Sequence, residues 1–373
     1  MDHDAPHDPT LPVRSIGLLR AQPVGGLMCA VPVFRALRRA HPEARLTLIG
    51  LPWAAEWVAR SPYLDDFIEF PGYPGLGGES PRRVDALPGF LSAMQAREFD
   101  LLLQVHDDGQ ILNPLLAACG ARRLGGFWRP GAWRPASDAF LPWPAEGHET
   151  ERLLALMDHL GVPRQGLRLE FPLADEDRRT VAAQLQDVPD GQPLIVLHMG
   201  HPLPTRRWLP ERFAQVGDAL AARGNAIVIA GSEEGRALAT AVSQLMQAPT
   251  VNVVGQTTLW TLGALLERVS LLVCNDTRVS HIASALGTPS VVISSGTDVA
   301  RWAPLEAARH PVLWEPVDDD DEPPATSQAP DDTASASPRS AAHPKTISLP
   351  AMPDSMPLDP VLATVQALET SRP

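Results

Sequence analysis

"LLVCNDTRVSHIASALGTPSVVISS", residues 271 to 295, reads as a strand, a helix and a second strand. "LLVCN" (271–275) and "PSVVISS" (289–295) are short apolar runs, of strand length rather than helix length. Between them, residues 279 to 286 place apolar side chains at helical spacing. Strands of this kind, joined through a helix, predict a parallel sheet with helices on its faces.

The same alternation extends in both directions. Strands are expected at "PLIVLHMG" (193–200), "NAIVIAG" (225–231) and "TVNVVG" (250–255), with helices near 210–223, 233–247 and 259–268. The first half repeats the scheme with "SIGLLR" (15–20), "ARLTLIG" (44–50), "DFIEF" (66–70) and "DLLLQV" (100–105), separated by helical patterns. At 373 residues the chain is too long for one ordinary core. Two α/β domains, each a doubly wound parallel sheet, are therefore expected at 14–175 and 176–316, facing each other across a cleft. Residues 128–147, rich in Pro and Trp, read as a loop, and 162–177 as a link. "HETERLLALMDHLG" (148–161) is an amphipathic helix ended by Gly161. Residues 1–13 and the Asp-, Pro- and Ser-rich stretch 317–345 carry too little apolar surface to offset ordering entropy and are expected to be disordered. Helical periodicity returns in 346–373, predicting a helix that packs back on the body.

The net charge of −13 argues against nucleic acid as a partner and against adhesion to anionic membranes. No apolar run is long enough for a membrane span. Cys29, Cys119 and Cys274 have no paired spacing and read as reduced, buried side chains. A cytoplasmic location is the default expectation.

In open parallel sheets, ligands bind beyond the carboxyl ends of the strands. There the second half offers Asp276 and Thr277 at a helix start, with His281 one turn beyond Thr277 on the same face. Free amides and the positive helix dipole make this a seat for a phosphate or diphosphate. A plain helix cap and a satisfied histidine would explain the same residues. Arg206 or Arg207, in the loop after 200, can clamp a phosphate or simply be solvated. Trp208 reads as a packing anchor. Glu233 or Glu234 can accept from ribose hydroxyls or favour a helix start. In the first half, Gly25 and Gly26 open a helix and permit close approach of a ligand. His106, Asp107 and Asp108 follow a strand, as a general base or as a solvated turn.

Four blocks in order, "LLRAQPVGGLMCAVPVFRALRRAHPEARLTLIG", "HETERLLALMDHLGVP", "HMGHPLPTRRWLPERFAQVGDALAARGNAIVIAGSEE" and "VVGQTTLWTLGALLERVSLLVCNDTRVSHIASALGTPSVV", resemble glycosyltransferase family 9, the heptosyltransferase-like family. The resemblance implies two Rossmann-like domains in the GT-B arrangement. It implies sugar transfer from a nucleotide donor, ADP-heptose-like, to a glycan, lipopolysaccharide-type, lipid-linked or small-molecule acceptor, with inversion and with neither metal nor cofactor. It assigns Thr277 and His281 to the donor diphosphate, Asp276 to the sugar, Arg206 to the phosphate clamp and Glu234 to the ribose. It also places the work in the cytoplasm or at the inner face of the cytoplasmic membrane, with at most weak peripheral contact.

Two positions depart from the family pattern. The family's Gly-Asp, whose Asp is the candidate base, is here Gly25-Gly26. The glycine that normally follows Asp-Thr is here Arg278, a cation that can pair with the diphosphate or fill its place. Asp107 and Asp108 are candidate substitute bases. The rival expectation is a catalytically degenerate member that binds a nucleotide sugar or a protein partner without turnover.

Overall fold

Strand formation begins where "SIGLL" buries every residue after the first. In the computed structural model, residues 13–76, 83–189, 191–201, 206–295, 298–315, 347–348 and 357–370 are described. The two segments expected to be disordered, 1–13 and 317–345, lie outside these residues apart from Val13. The chain divides into Met1–Pro172 and Leu173–Pro373.

The first unit runs β1 (Ser15–Leu19), α1 (Val24–Met28), α2 (Val31–Ala40), β2 (Arg45–Gly50), α3 (Ala54–Arg60) and β3 (Asp66–Glu69). It continues with α4 (Leu87–Ala96), β4 (Leu101–Gln104), α5 (Leu112–Ala118), β5 (Leu124–Trp128), β6 (Phe140–Pro142) and α6 (Glu149–His159). Its parallel sheet has the order β3-β2-β1-β4-β5-β6. The strand order reverses between β1 and β4, which pair in the register Leu19↔Gln104. The segments leaving β1 and β4 therefore start side by side at the switch point, the place where such sheets hold ligands. On α2, Val33, Phe34 and Leu37 are fully buried, while Arg38 and Arg39 lie in the last turn, where cations suit the helix dipole.

The second unit runs α7 (Asp175–Gln184), β7 (Leu194–His198), α8 (Pro210–Ala221), β8 (Ala226–Ile229), α9 (Arg236–Leu245), β9 (Thr250–Asn252) and α10 (Leu259–Arg268). Then come β10 (Leu271–Asn275), α11 (Arg278–Leu286), β11 (Ser290–Ser295), α12 (Val299–Trp302), β12 (Val312–Glu315), β13 (Ile347–Ser348) and α13 (Leu358–Thr370). The sheet order is β13-β12-β11-β10-β7-β8-β9, again parallel throughout. Its switch point lies between β7 and β10, with His198 opposite Cys274. Helix α13 packs back through Val361, Val365 and Leu368, which join the same core as Phe213 and Val216 of α8.

Four expectations need correction. The supposed loop 128–147 contains β6, which adds a strand beside β5. The supposed link contains the start of α7, so a boundary at 175/176 would cut that helix in its first turn. The second sheet is larger than the five strands read from sequence, because β12 and β13 extend it. Finally, the ninth strand ends at Asn252 rather than near 255, and a 3-10 turn at Glu233–Gly235 precedes α9. All three cysteines are buried, and none forms a disulfide.

Candidate functional site

At the switch point of the second sheet, β10 ends in Asn275, which is fully buried and carries no free polar edge. Its Oδ1 accepts from the Trp208 amide at 3.1 Å and its Nδ2 donates to Met199 O at 2.7 Å. One side chain thus ties the strand end to both ends of the loop after β7. Trp208 is buried and meets Phe213 edge to face at 5.0 Å, as a packing anchor does. Asp276 follows, with its amide on Ile293 O at 2.9 Å and its Oδ2 accepting from the Ser294 hydroxyl at 3.2 Å.

Thr277 occupies the N-cap position of α11 with extended backbone, yet its side chain makes no capping bond. Its Oγ1 is buried and has no hydrogen-bond partner among the described residues. A buried hydroxyl left this way is costly unless something else binds it. The amides of Arg278 and Val279 stand in the first helical turn, where a helix supplies no carbonyl of its own. The nine-residue helix therefore opens with a positive dipole end at the carboxyl edge of the sheet, and its first two amides have no acceptor among the described residues. His281, one turn on, is buried and lies perpendicular to the Trp302 ring at 6.5 Å.

Arg278 is exposed and makes no hydrogen bond or ion pair among the described residues. Its charge still reaches two neighbours. It helps burial push His198 down to about 4, and it helps the Ser232 hydroxyl hold the Glu234 carboxyl below its usual range. His198 closes β7 and Glu234 follows β8, so the guanidinium's field spans two strand ends. His198 Nδ1 is a second buried polar atom with no partner among the described residues. Glu233 is engaged elsewhere, in a two-pronged pair with Arg236 at 2.6 Å. Arg207 donates to His201 O at 2.8 Å. Arg206 is half-buried and follows directly on 202–205, which lie outside the described residues.

The first sheet's switch point holds a different arrangement. Arg20, immediately after β1, is completely buried. Its guanidinium donates to Gly26 O at 2.7 and 3.1 Å, to Val105 O at 2.7 Å and to His106 O at 3.2 Å. It also pairs with Glu149 Oε1 at 2.9 Å, and Glu149 is 1% exposed. Sequence reading missed both partners, because an arginine after a strand and a glutamate in a helix's first turn each look solvated.

The expected solvated turn at 106–108 is corrected too. His106 is buried, its Nδ1 accepts from the Ala21 amide at 3.1 Å, and its Nε2 lies 3.2 Å from the Gln22 amide group. Burial and the nearby Arg20 hold it near 3, so the ring is neutral. Asp107 Oδ1 accepts from Gly109 N at 2.8 Å and from Gln104 Nε2 at 3.0 Å. Asp108 accepts from Gln110 N at 3.2 Å and pairs with Arg129 at 2.6 Å.

Gly26 and Gly25 are buried in α1. A Cβ at Gly26 would sit 2.9 Å from the Gln22 Cβ, so a carboxylate there requires the chain to shift. Gly109 has φ +74°, and a Cβ would stand 2.4 Å from Phe127 O and 2.3 Å from Asn113 Nδ2. Gly109→Ala is expected to cost about 1–3 kcal/mol through strain and clash, read as a lowered urea midpoint. A midpoint unchanged within error would show that the turn yields easily.

Among the described residues, no group of three or more His, Cys, Asp or Glu side chains could hold a metal ion. Nor is any helix there long and apolar enough to cross a membrane.

Residues 124–317, just over half of the chain, match the profile of glycosyltransferase family 9 (heptosyltransferase). Lipopolysaccharide heptosyltransferase 3 of Escherichia coli is 25% identical over 296 residues, covering 75% of this chain and 83% of that protein. Among solved structures, the glycosyl transferase family 9 protein of Veillonella parvula is similar at a TM-score of 0.68 and 20% identity, over 82% of this chain and 87% of that one. The E. coli heptosyltransferase WaaC, solved with ADP, is similar at a TM-score of 0.60 and 16% identity, over 81% and 93%.

Proposed function

The chain belongs to glycosyltransferase family 9, the heptosyltransferase family, and from that premise we propose that its second unit binds a nucleoside diphosphate sugar of the ADP-heptose type and donates the sugar to a glycan or lipid-linked acceptor with inversion. The observation that carries this is the start of α11. Among the described residues, a buried Thr277 hydroxyl without a partner sits there beside amides that receive no side-chain cap and a cation with no bond of its own. These donors suit a diphosphate, whose charge grows as the sugar leaves.

In this reading Thr277 and the first amides of α11 bind the β-phosphate. Arg278 and Arg206 neutralise the departing charge, and His281 supports the same face of the helix. Asp276, already oriented by Ser294, faces the sugar, and Glu234 takes the ribose. Protein donors and cations, rather than a metal ion, stabilise the leaving group. ADP-heptose is favoured as donor because an E. coli protein of similar fold was solved with ADP and because the sequence relatives are heptosyltransferases.

A second reading, binding without turnover, is favoured by Gly26, where the family carries its acidic base. Calorimetry with ADP, followed by assay of ADP release from ADP-heptose, separates the two. Binding with release supports the transferase. Binding without release selects the second reading, and absence of binding rejects both. Thr277→Val is expected to weaken ADP about 3- to 10-fold, as for one neutral hydrogen bond. Unchanged affinity would remove Thr277 from the site.

A further inference from the structure

We infer that His198 is a further ligand of the donor diphosphate, its Nδ1–H donating to a phosphate oxygen beside Thr277 and Arg278. This deepens the donor reading above and rests on it. All the residues concerned belong to the second unit.

Sheet alternation places the ring. Along β7, Ile195 and Leu197, with Met199 just beyond, join the core that α8, α9 and α13 cover. Side chains alternate across a strand, so Val196 and His198 lie on the opposite face. On β10, Leu271 and Val273 join the same core, which leaves Leu272 and Cys274 on the face of His198. Val279, Ile282 and Ala283 of α11 are fully buried but take no part in that core. Helix α11 therefore covers the His198 face, packed beside α10. His198 pairs with Cys274 in the register of the two strands. The chain leaves β10 at Asn275 and opens α11 at Arg278. The last residue of β7 is thus set at the first turn of α11.

Two buried polar atoms lie at this turn. Nδ1 of His198 and Oγ1 of Thr277 are shut away from water, and neither has a hydrogen-bond partner among the described residues. Such atoms are rare in folded chains, and each calls for a ligand or another explanation. Here they come from adjacent strand ends at one switch point, which makes a seat for an occupant that accepts two hydrogen bonds. The other edge of the ring faces the loop after β7. A Cβ at Gly200 would stand 3.4 Å from Cε1 and 4.0 Å from Nε2, with Nδ1 further off.

Charge selects the occupant. Arg278 is near enough for its charge to act on the ring: burial first, and then Arg278, hold His198 down to about 4 against its own carbonyl. At neutral pH the ring is uncharged and has one N–H to give. An anionic oxygen at Nδ1 fixes the tautomer that carries the proton there, and it answers the guanidinium at the same time. A hydrogen bond to a charged oxygen is also stronger than one to a neutral group. A diphosphate has oxygens enough to meet Nδ1, the Thr277 hydroxyl and Arg278 together.

The test is calorimetry on the full chain with two probes, ADP and inorganic pyrophosphate. His198→Phe keeps a flat ring and removes both nitrogens. It is expected to weaken both probes about 10- to 100-fold, the worth of a hydrogen bond to a charged group. His198→Asn puts its amide nitrogen where Nδ1 stands and should bind within about threefold of the native chain. His198→Gln reaches instead to the place of Nε2 and should lose as much as the Phe variant. A merely structural histidine would not rank the two amides in this order. Should the Phe variant show no cooperative urea transition, the order of Asn against Gln decides alone. A folded Phe variant that binds within about threefold of the native chain overturns the inference. So does a Gln variant that binds as well as the Asn variant, or a loss seen with ADP and not with pyrophosphate. Each of these leaves the donor reading standing. A native chain that binds neither probe overturns the donor reading, and the role of His198 with it.

Discussion

Glu149→Gln is expected to lower the stability of the first unit by about 3–5 kcal/mol, the usual result when one partner of a buried ion pair is removed. Arg20 and Glu149 are 0% and 1% exposed, so neither charge can turn to water. The glutamine can still accept one hydrogen bond, but it cannot balance the guanidinium. Four contacts to backbone carbonyls remain, and these are partial charges only. Against a total of about 5–15 kcal/mol for a domain, that loss approaches unfolding. The readout should be local, since the second unit lacks this pair: amide exchange in β1 and β4 should quicken while β7 and β10 stay protected. The double variant Arg20→Met with Glu149→Leu removes the uncompensated charge but takes the donor from Gly26 O, Val105 O and His106 O, so it should recover only part of the loss. If Glu149→Gln costs under about 1 kcal/mol, the carbonyl cage alone holds Arg20.

This pair also shows where sequence reading stops. The central strands were legible because parallel strands buried on both faces are apolar without interruption, as in "LIVLH" and "LLVCN". Strand β5, "LGGFW", was missed because two glycines look like a break, and β6 ends in a proline, which normally argues against a strand. Helix α7 begins with five charged residues and buries only Asp177 and Val181, so no apolar period betrays it. That Thr277 stands at a helix start was legible because a strand running into a helix is a local event. The first unit's arrangement could not. Arg20 and Glu149 are 129 residues apart, and only the sheet order brings β1, β4 and the start of α6 together. Of the two aspartates that sequence reading left as equals, the structure separates Asp107 from Asp108 by one partner, Arg129.

Arg278→Gly, which restores the family's residue, is expected to weaken ADP about 10- to 100-fold, the worth of a charge-assisted contact. A cation in the first turn of a helix is disfavoured by the dipole, so Arg278 opposes α11 unless an anion sits between them. Among the described residues of the second unit none supplies that anion directly: Glu233 pairs with Arg236, and Glu234 feels Arg278 only at a distance. A diphosphate would meet both needs at once, facing the free amides on one side and the guanidinium on the other. The family's glycine lets phosphate approach the backbone, and the arginine replaces that close approach with charge. Binding to the native chain should therefore fall steeply with added salt, and the glycine variant should show a shallower dependence. Calorimetry at two salt concentrations decides it. Tighter ADP binding by Arg278→Gly would mean that the arginine fills the seat instead of completing it, and the second unit would then be a donor site held closed by its own side chain.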